Sequence, residues 1–255
     1  VLDRLVFLNL RDCKKIRNLP SSICKLKSLE RLNLTGCSSL EGLPEHFGDI
    51  ESLTELLAEE TAIKQLPYSF GLLKNLTSLS LRGSNKRLPT KSWLSLLSSL
   101  VRRRSPDPIR FLPTSISGLC SLKELVLTDC NLFEGDIPVD LRGLGSLEEL
   151  KLDENNFVSL PSSLSNLSKL RFLWLQNCRS LQSLLELPPN LSVLFADDCT
   201  SLEKLPNLSN FKRVPTLFLT DCNKLAEIQG LENLHSIDVF HMERCSNLAN
   251  TIKDS

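Results

Sequence analysis

Residues Leu29–Pro44 read LERLNLTGCSSLEGLP. In the opening hexad, Leu32 and Leu34 alternate with polar neighbours, the period of a strand that buries one face. Cys37, Leu40 and Leu43 then turn inward. Pro44 lacks a backbone N–H and cannot extend a ladder, so the chain leaves the sheet for the opposite side. The pattern L-x-x-L-x-L-x-x-C/N begins at Leu5, Leu29, Leu53, Leu76, Leu122, Leu147, Leu170, Leu191, Val214 and Ile237. The spacings are 24, 24, 23, 46, 25, 23, 21, 23 and 23 residues. The gap of 46 is twice the unit and places a degenerate copy near Leu97, over 97–113, which gives about eleven repeats.

No single unit can bury its own leucines, so units must stack and share one core. The sequence therefore predicts an α/β leucine-rich repeat solenoid. Its inner wall is a curved sheet of parallel strands, and short helices and irregular turns form the outside. Strands about 4.8 Å apart make that wall on the order of 50 Å long. One domain over 1–255 is expected, as a fragment of a larger protein, because the chain opens in mid-pattern at Val1.

Composition narrows the function. Thirty Lys+Arg balance thirty Asp+Glu among 255 residues, which gives no sign of nucleic-acid or membrane partners. The longest uncharged run, Asn155–Ser168, has fourteen residues rich in Ser and Asn, too few for a membrane span.

Nine cysteines suggest metal or disulfide chemistry until they are set on the repeat. Seven (Cys13, Cys37, Cys130, Cys178, Cys199, Cys222, Cys245) take the ninth place of the unit; Thr61, Ser84, Ser105 and Asn155 take it elsewhere. All are small groups able to bond the backbone of a turn, and a buried thiol packs as a small hydrophobe. No C-x-x-C pair exists, so zinc is not expected. A row of free thiols suits a reducing compartment. Cys24 and Cys120 read as packing residues of the outer returns.

The run Leu29–Pro44, and LLELPPNLSVLFADDCTSLEKL over Leu184–Leu205, resemble the repeats of plant intracellular immune receptors of the TIR–nucleotide-binding–LRR class. The resemblance spans nearly all 255 residues. It implies a cytoplasmic or nuclear receptor segment that senses a pathogen effector or a modified host (guardee) protein. It also implies an intramolecular contact with the receptor's nucleotide-binding domain. The alternative is an extracellular receptor-like ectodomain for a peptide or cell-wall ligand. Asn131–Pro138 (NLFEGDIP) drifts toward that form, and five N-L-S/T sequons (Asn33, Asn75, Asn166, Asn190, Asn207) would serve it.

No catalytic machinery is expected. No glycine precedes a lysine, so a G-K-[ST] phosphate loop is absent, and there is no G-x-S-x-G. His46, His235 and His241 lack triad partners in the sequence. No cofactor, metal, nucleic acid or membrane is implied.

Binding should use the outward third and fifth places of the strands, which packing leaves free. Toward the C-terminus these are Phe172, Trp174, Val193, Phe195, Thr216, Phe218, Val239 and His241, an apolar patch. It reads either as a recognition surface for a foreign protein or as the seat of a following domain. Residues 123–156 hold nine acids against three bases. Glu124, Glu148, Glu149 and Asp153 point outward there, and the rim continues through Asp197 and Asp198. This is either a solvated face or electrostatic complementarity to a partner. Residues 1–40 carry eight bases against three acids, and Arg4, Arg11, Lys14, Lys15 and Arg17 are the expected intramolecular surface. In the degenerate copy Arg102 would face the leucine core and Ser105–Pro108 (SPDP) breaks any ladder. A weak or missing strand is expected there, with regular structure resuming at Leu112–Pro113.

Overall fold

The computed structural model describes residues 4–83, 111–211, 215–230 and 240–248. Ten short strands form one parallel sheet in strict sequence order. They are β1 (Phe7–Asn9), β2 (Arg31–Asn33), β3 (Glu55–Leu57), β4 (Ser78–Ser80), β5 (Glu124–Val126), β6 (Glu149–Lys151), β7 (Phe172–Trp174), β8 (Val193–Phe195), β9 (Thr216–Phe218) and β10 (Phe240–His241). Every described pairing sets like repeat positions side by side, as in Leu32↔Leu56, Leu56↔Leu79 and Leu173↔Leu194. The repeat thus becomes a set of columns. From β5 to β9 the middle residue is buried and its two neighbours are half-buried.

The inward columns are the leucines of the pattern. Leu29, Leu53, Leu76, Leu122, Leu147 and Leu170 are fully buried. Each buried leucine contributes roughly 1.5–3 kcal/mol against leaving it in water. The row of thiols is also lined up. Cys37, Cys130, Cys178, Cys199, Cys222 and Cys245 donate to the carbonyls of Leu10, Leu81, Leu152, Leu175, Ala196 and Leu219, at 3.0–3.2 Å. Each acceptor is the sixth residue of the preceding turn, so the thiols stitch neighbours together. Asn155, in the same column, accepts from Leu132 N (2.9 Å) and donates to Leu127 O and Leu152 O at 2.9 and 2.8 Å. None of the nine cysteines is in a disulfide.

Proline starts most of the outer turns. Pro20, Pro67, Pro113 and Pro161 cap the 3₁₀ helices Ser21–Lys25, Tyr68–Leu72, Thr114–Gly118 and Ser162–Asn166, with φ between −63° and −70°. That φ is the one the pyrrolidine ring imposes. Two shorter helices, Phe47–Asp49 and Leu208–Asn210, are likewise 3₁₀. The outer short helices are therefore 3₁₀ turns, a tighter form than the α-helix that an α/β class brings to mind.

At the gap of 46 residues the strand expected to be weak or missing is missing from the sheet. β4 pairs directly with β5, Leu79 opposite Leu125, so no strand stands between them. The outer side skips in step: a Cβ on Gly71 would lie 2.0 Å from Ser115 O, in the turn that follows the gap. Among the described residues the wall has ten strands. Most of the copy expected over 97–113 lies outside the described residues; Phe111 and Leu112, where regular structure was to resume, are buried. Cys120 is also corrected: it is exposed and does not pack inside, whereas Cys24 is buried. Cys120 lies two residues beyond the 3₁₀ helix Thr114–Gly118, where its thiol meets the Lys74 carbonyl at 4.0 Å on the surface.

Candidate functional site: a stacked aromatic ladder on the concave face

In-register parallel strands hold equivalent side chains about 4.8 Å apart, near the stacking distance of planar rings. The fifth-position column on β7–β10 is Trp174, Phe195, Phe218 and His241, in register. Their ring centroids are 3.8, 4.9 and 4.6 Å apart, with interplanar angles of 16°, 15° and 8°. Beside them run Phe172, Val193 and Thr216 in the third-position column, with the Arg171 guanidinium 5.5 Å from the Phe172 ring. Val239 lies outside the described residues. Stacking fixes the rings before any partner arrives, which lowers the ordering cost of binding.

An ion triad closes one end of the ladder. Trp174 Nε1 donates to Glu149 Oε1 (3.0 Å), and Lys151 Nζ lies 3.0 Å from Glu124 and 3.1 Å from Glu149. The same ammonium is 5.9 Å from the Trp174 ring centroid. Partial burial works against its charge, but the hydrogen bonds to Glu124 and Glu149 outweigh that and hold the ammonium above its ordinary range. Lys151 is the member that sequence reading left unassigned. Its signal was present, since it lies at a fifth position flanked by third-position glutamates.

The acidic residues divide by task. Glu124 and Glu149 belong to the triad, and Glu148 lies 3.8 Å from Lys123 on the surface. Asp153 and Asp197 each accept a backbone N–H of the next turn, from Gln176 and Thr220, at 2.9 Å. Gln176 Nε2 also donates to Asp197 Oδ2 (2.9 Å), while Thr128 Oγ1 donates to Asp153 (3.2 Å). Burial pushes the Asp153 carboxyl up, and the Gln176 amide offsets this only in part. Asp198 holds a left-handed backbone (φ 60°) in a column with Asp12, Glu60, Asp129, Glu154, Asn177, Asp221 and Arg244, all between 53° and 62°. Asp and Asn tolerate that region better than most residues. Asp153, Asp197 and Asp198 thus serve the backbone as well as the surface.

A groove of about 470 Å³ lies over the centre of the concave wall, lined by Glu59, Glu124, Asp153 and Glu154 against Arg82 and Lys151. At the other end Arg4, Arg11, Lys14, Lys15 and Arg17 are exposed on the first turn. Arg11 lies 3.6 Å from Asp12, and Arg17 stands near Glu41. The Arg31 guanidinium sits 5.0 Å from the exposed Phe7 ring, a pair that sequence reading did not single out. Among the described residues no group of three or more His, Cys, Asp or Glu could hold a metal ion, and no helix is long and apolar enough to cross a membrane.

A family model of leucine-rich repeats of RPS4B-like disease resistance proteins matches residues 25–224, most of the chain. The chain belongs to that family. It is 36% identical over 204 residues to the disease resistance-like protein DSC1 of Arabidopsis thaliana, and 39% identical over 191 residues to the TMV resistance protein N of Nicotiana glutinosa. These alignments cover 80% and 74% of this chain, but the chain spans only 15% of either relative. Among solved structures, the leucine-rich repeat domain of the type III effector XopL overlays with a TM-score of 0.68 at 21% identity, covering 93% of this chain and 76% of that one. At that identity the likeness concerns the solenoid alone. Membership makes the chain a repeat module of plant disease resistance proteins, a fold that serves protein interaction.

Proposed function

We propose that this chain is the partner-binding segment of an intracellular plant immune receptor, cytoplasmic or nuclear, and that a pathogen effector or modified host protein docks on its concave face. The supporting observation is the ladder of Trp174, Phe195, Phe218 and His241, four pre-stacked rings on the open side of the sheet. Aromatic side chains held rigid and half-exposed are characteristic interface hot spots. Nine cysteines without a disulfide, most of them buried, suit the reducing interior of a cell better than an extracellular ectodomain. Replacing Trp174 and Phe195 by Ser in the full receptor is expected to abolish the pathogen-triggered response. Receptor abundance and the unfolding transition should stay near those of the parent. A response of full strength in that variant overturns the reading.

The exposed basic turn carries the second part of the proposal: Arg4, Arg11, Lys14, Lys15 and Arg17 hold the receptor's nucleotide-binding domain in its resting state. Binding at the concave face then shifts an equilibrium between resting and active states. Reversing Lys14, Lys15 and Arg17 to Glu is expected to give a response without pathogen. Normal quiescence, measured as the absence of signalling at equal abundance, removes this surface from the resting contact.

A further inference from the structure

Stacking determines which part of each ring a partner can reach. The rings of Trp174, Phe195, Phe218 and His241 cover one another's faces along the column, and the remaining face of Trp174 looks toward Lys151 Nζ. A partner therefore meets ring edges, together with Val193 and Thr216 alongside. Ring edges carry the positive lobe of the aromatic quadrupole. They suit apolar side chains, aromatic faces and carbonyl oxygens, and they disfavour a cation. From Trp174 to Phe218 the usual seat for a cation over an aromatic face is taken.

The neighbouring groove has the opposite preference. Glu59, Glu124 and Glu154 outnumber Arg82 and Lys151 along its walls, while Asp153 is turned to the Gln176 amide. Glu55, on β3 and half-buried, adds to the same side of the sheet. A concave wall of low dielectric concentrates such an excess of one sign and draws in the opposite charge. The two regions adjoin: Glu149 touches both Lys151 and the Trp174 indole.

We infer that the concave face takes a single extended polypeptide segment that crosses the strands, with Lys or Arg over the carboxylates of β5 and β6 and an apolar cluster over the rings of β7–β9. This rests on the partner-binding reading above and specifies the chemistry of the partner. From β6 to the middle of the ladder is two to three strands, roughly 10–15 Å. An extended chain covers that in about three to four residues. The recognised segment is thus a basic pair and an apolar pair separated by a spacer of that length. An acidic segment with the same apolar pair is discriminated against, since like charges facing across an interface are costly.

Fluorescent synthetic peptides test this on the 255-residue chain. One series carries Lys-Arg and Phe-Leu pairs separated by zero to eight Gly/Ser residues, and a second replaces the basic pair by Asp-Glu. Affinity, read by fluorescence anisotropy, is expected to peak at spacers of about three to four residues. It should fall at least tenfold in the acidic series and weaken with salt. Glu124→Lys is expected to reverse the preference between the series; Glu124→Gln, a milder change, should halve the gap or more if the reversal unfolds the chain. Equal binding of both series, or affinity independent of spacer length, overturns the bipartite segment. Phe195→Ser separates this from the underlying reading. If that variant loses the peptides while both series bind the parent equally, only the charge half fails. If it binds them as the parent does, the ladder is not the docking surface at all.

Discussion

Between pH 7 and pH 10 the folded chain is expected to lose about 4 kcal/mol of stability through three thiols alone, those of Cys178, Cys199 and Cys222. Burial is the main cause. It pushes Cys178 and Cys222 up to about 12 from an ordinary value of 9.0, and Cys199 higher still. The unfolded thiols ionise near 9.0 while the folded ones stay protonated. The folded state therefore binds more protons than the unfolded state above pH 9, and stability must fall as pH rises. The contribution is intact below pH 9 and is lost progressively up to about 12. One pH unit above the unfolded value, each thiol has cost about 1.4 kcal/mol. Urea unfolding at pH 7, 8, 9 and 10 measures the slope. The triple variant Cys178→Ser, Cys199→Ser, Cys222→Ser should lose most of the fall, because the two chains differ in nothing else. An unchanged slope would mean that these thiols are not buried as a row. The same burial predicts that iodoacetamide labels native Cys120 quickly, Cys13 slowly and the ladder thiols only after unfolding.

The sequence carried the columns more fully than the connections. Leucines every two dozen residues sufficed to place Leu32, Leu56 and Leu79 inside, because a side-chain period of two leaves no freedom once one face is buried. The same logic put Trp174, Phe195 and Phe218 on one outward column, since an in-register parallel sheet turns repeat position into neighbourhood. Two things could not be read this way. The first was the gap of 46: Arg102 and Ser105–Pro108 marked its strand as weak or missing, without saying which. Only the pairing of Leu79 with Leu125 decides it. The second was the acidic rim, which looked like one surface. The backbone splits it, because Asp153 and Asp197 accept amides of the next turn while Asp198 occupies a left-handed position. A charge count cannot separate a carboxylate that faces a partner from one that faces its own main chain.

The direct contact of β4 with β5 has a decisive mutation. Gly83 lies just beyond β4, and a Cβ built on it would stand 1.7 Å from the backbone oxygen of Asp129, in the turn of β5. Gly83 N donates to Thr128 O (2.8 Å), and Leu81 N donates to Val126 O (2.9 Å), so two turns are in contact at that point. The obstacle is main chain, which no rotamer change can clear. Gly83→Ala must therefore part the two turns and weaken those bonds. Overpacking of this kind costs about 1–3 kcal/mol and each lost bond about 1. We expect a loss of about 3 kcal/mol, read as a lower midpoint of urea unfolding. Gly42, with nothing within 4 Å of its added Cβ, is the control, and Gly42→Ala should stay within about 0.5 kcal/mol of the parent. A neutral Gly83→Ala would mean that the turns of β4 and β5 do not meet at this point and would move the acidic groove away from Arg82. A loss confined to Gly83→Ala keeps β4 against β5, with the carboxylates of β5 and β6 beside the ladder that they help to orient.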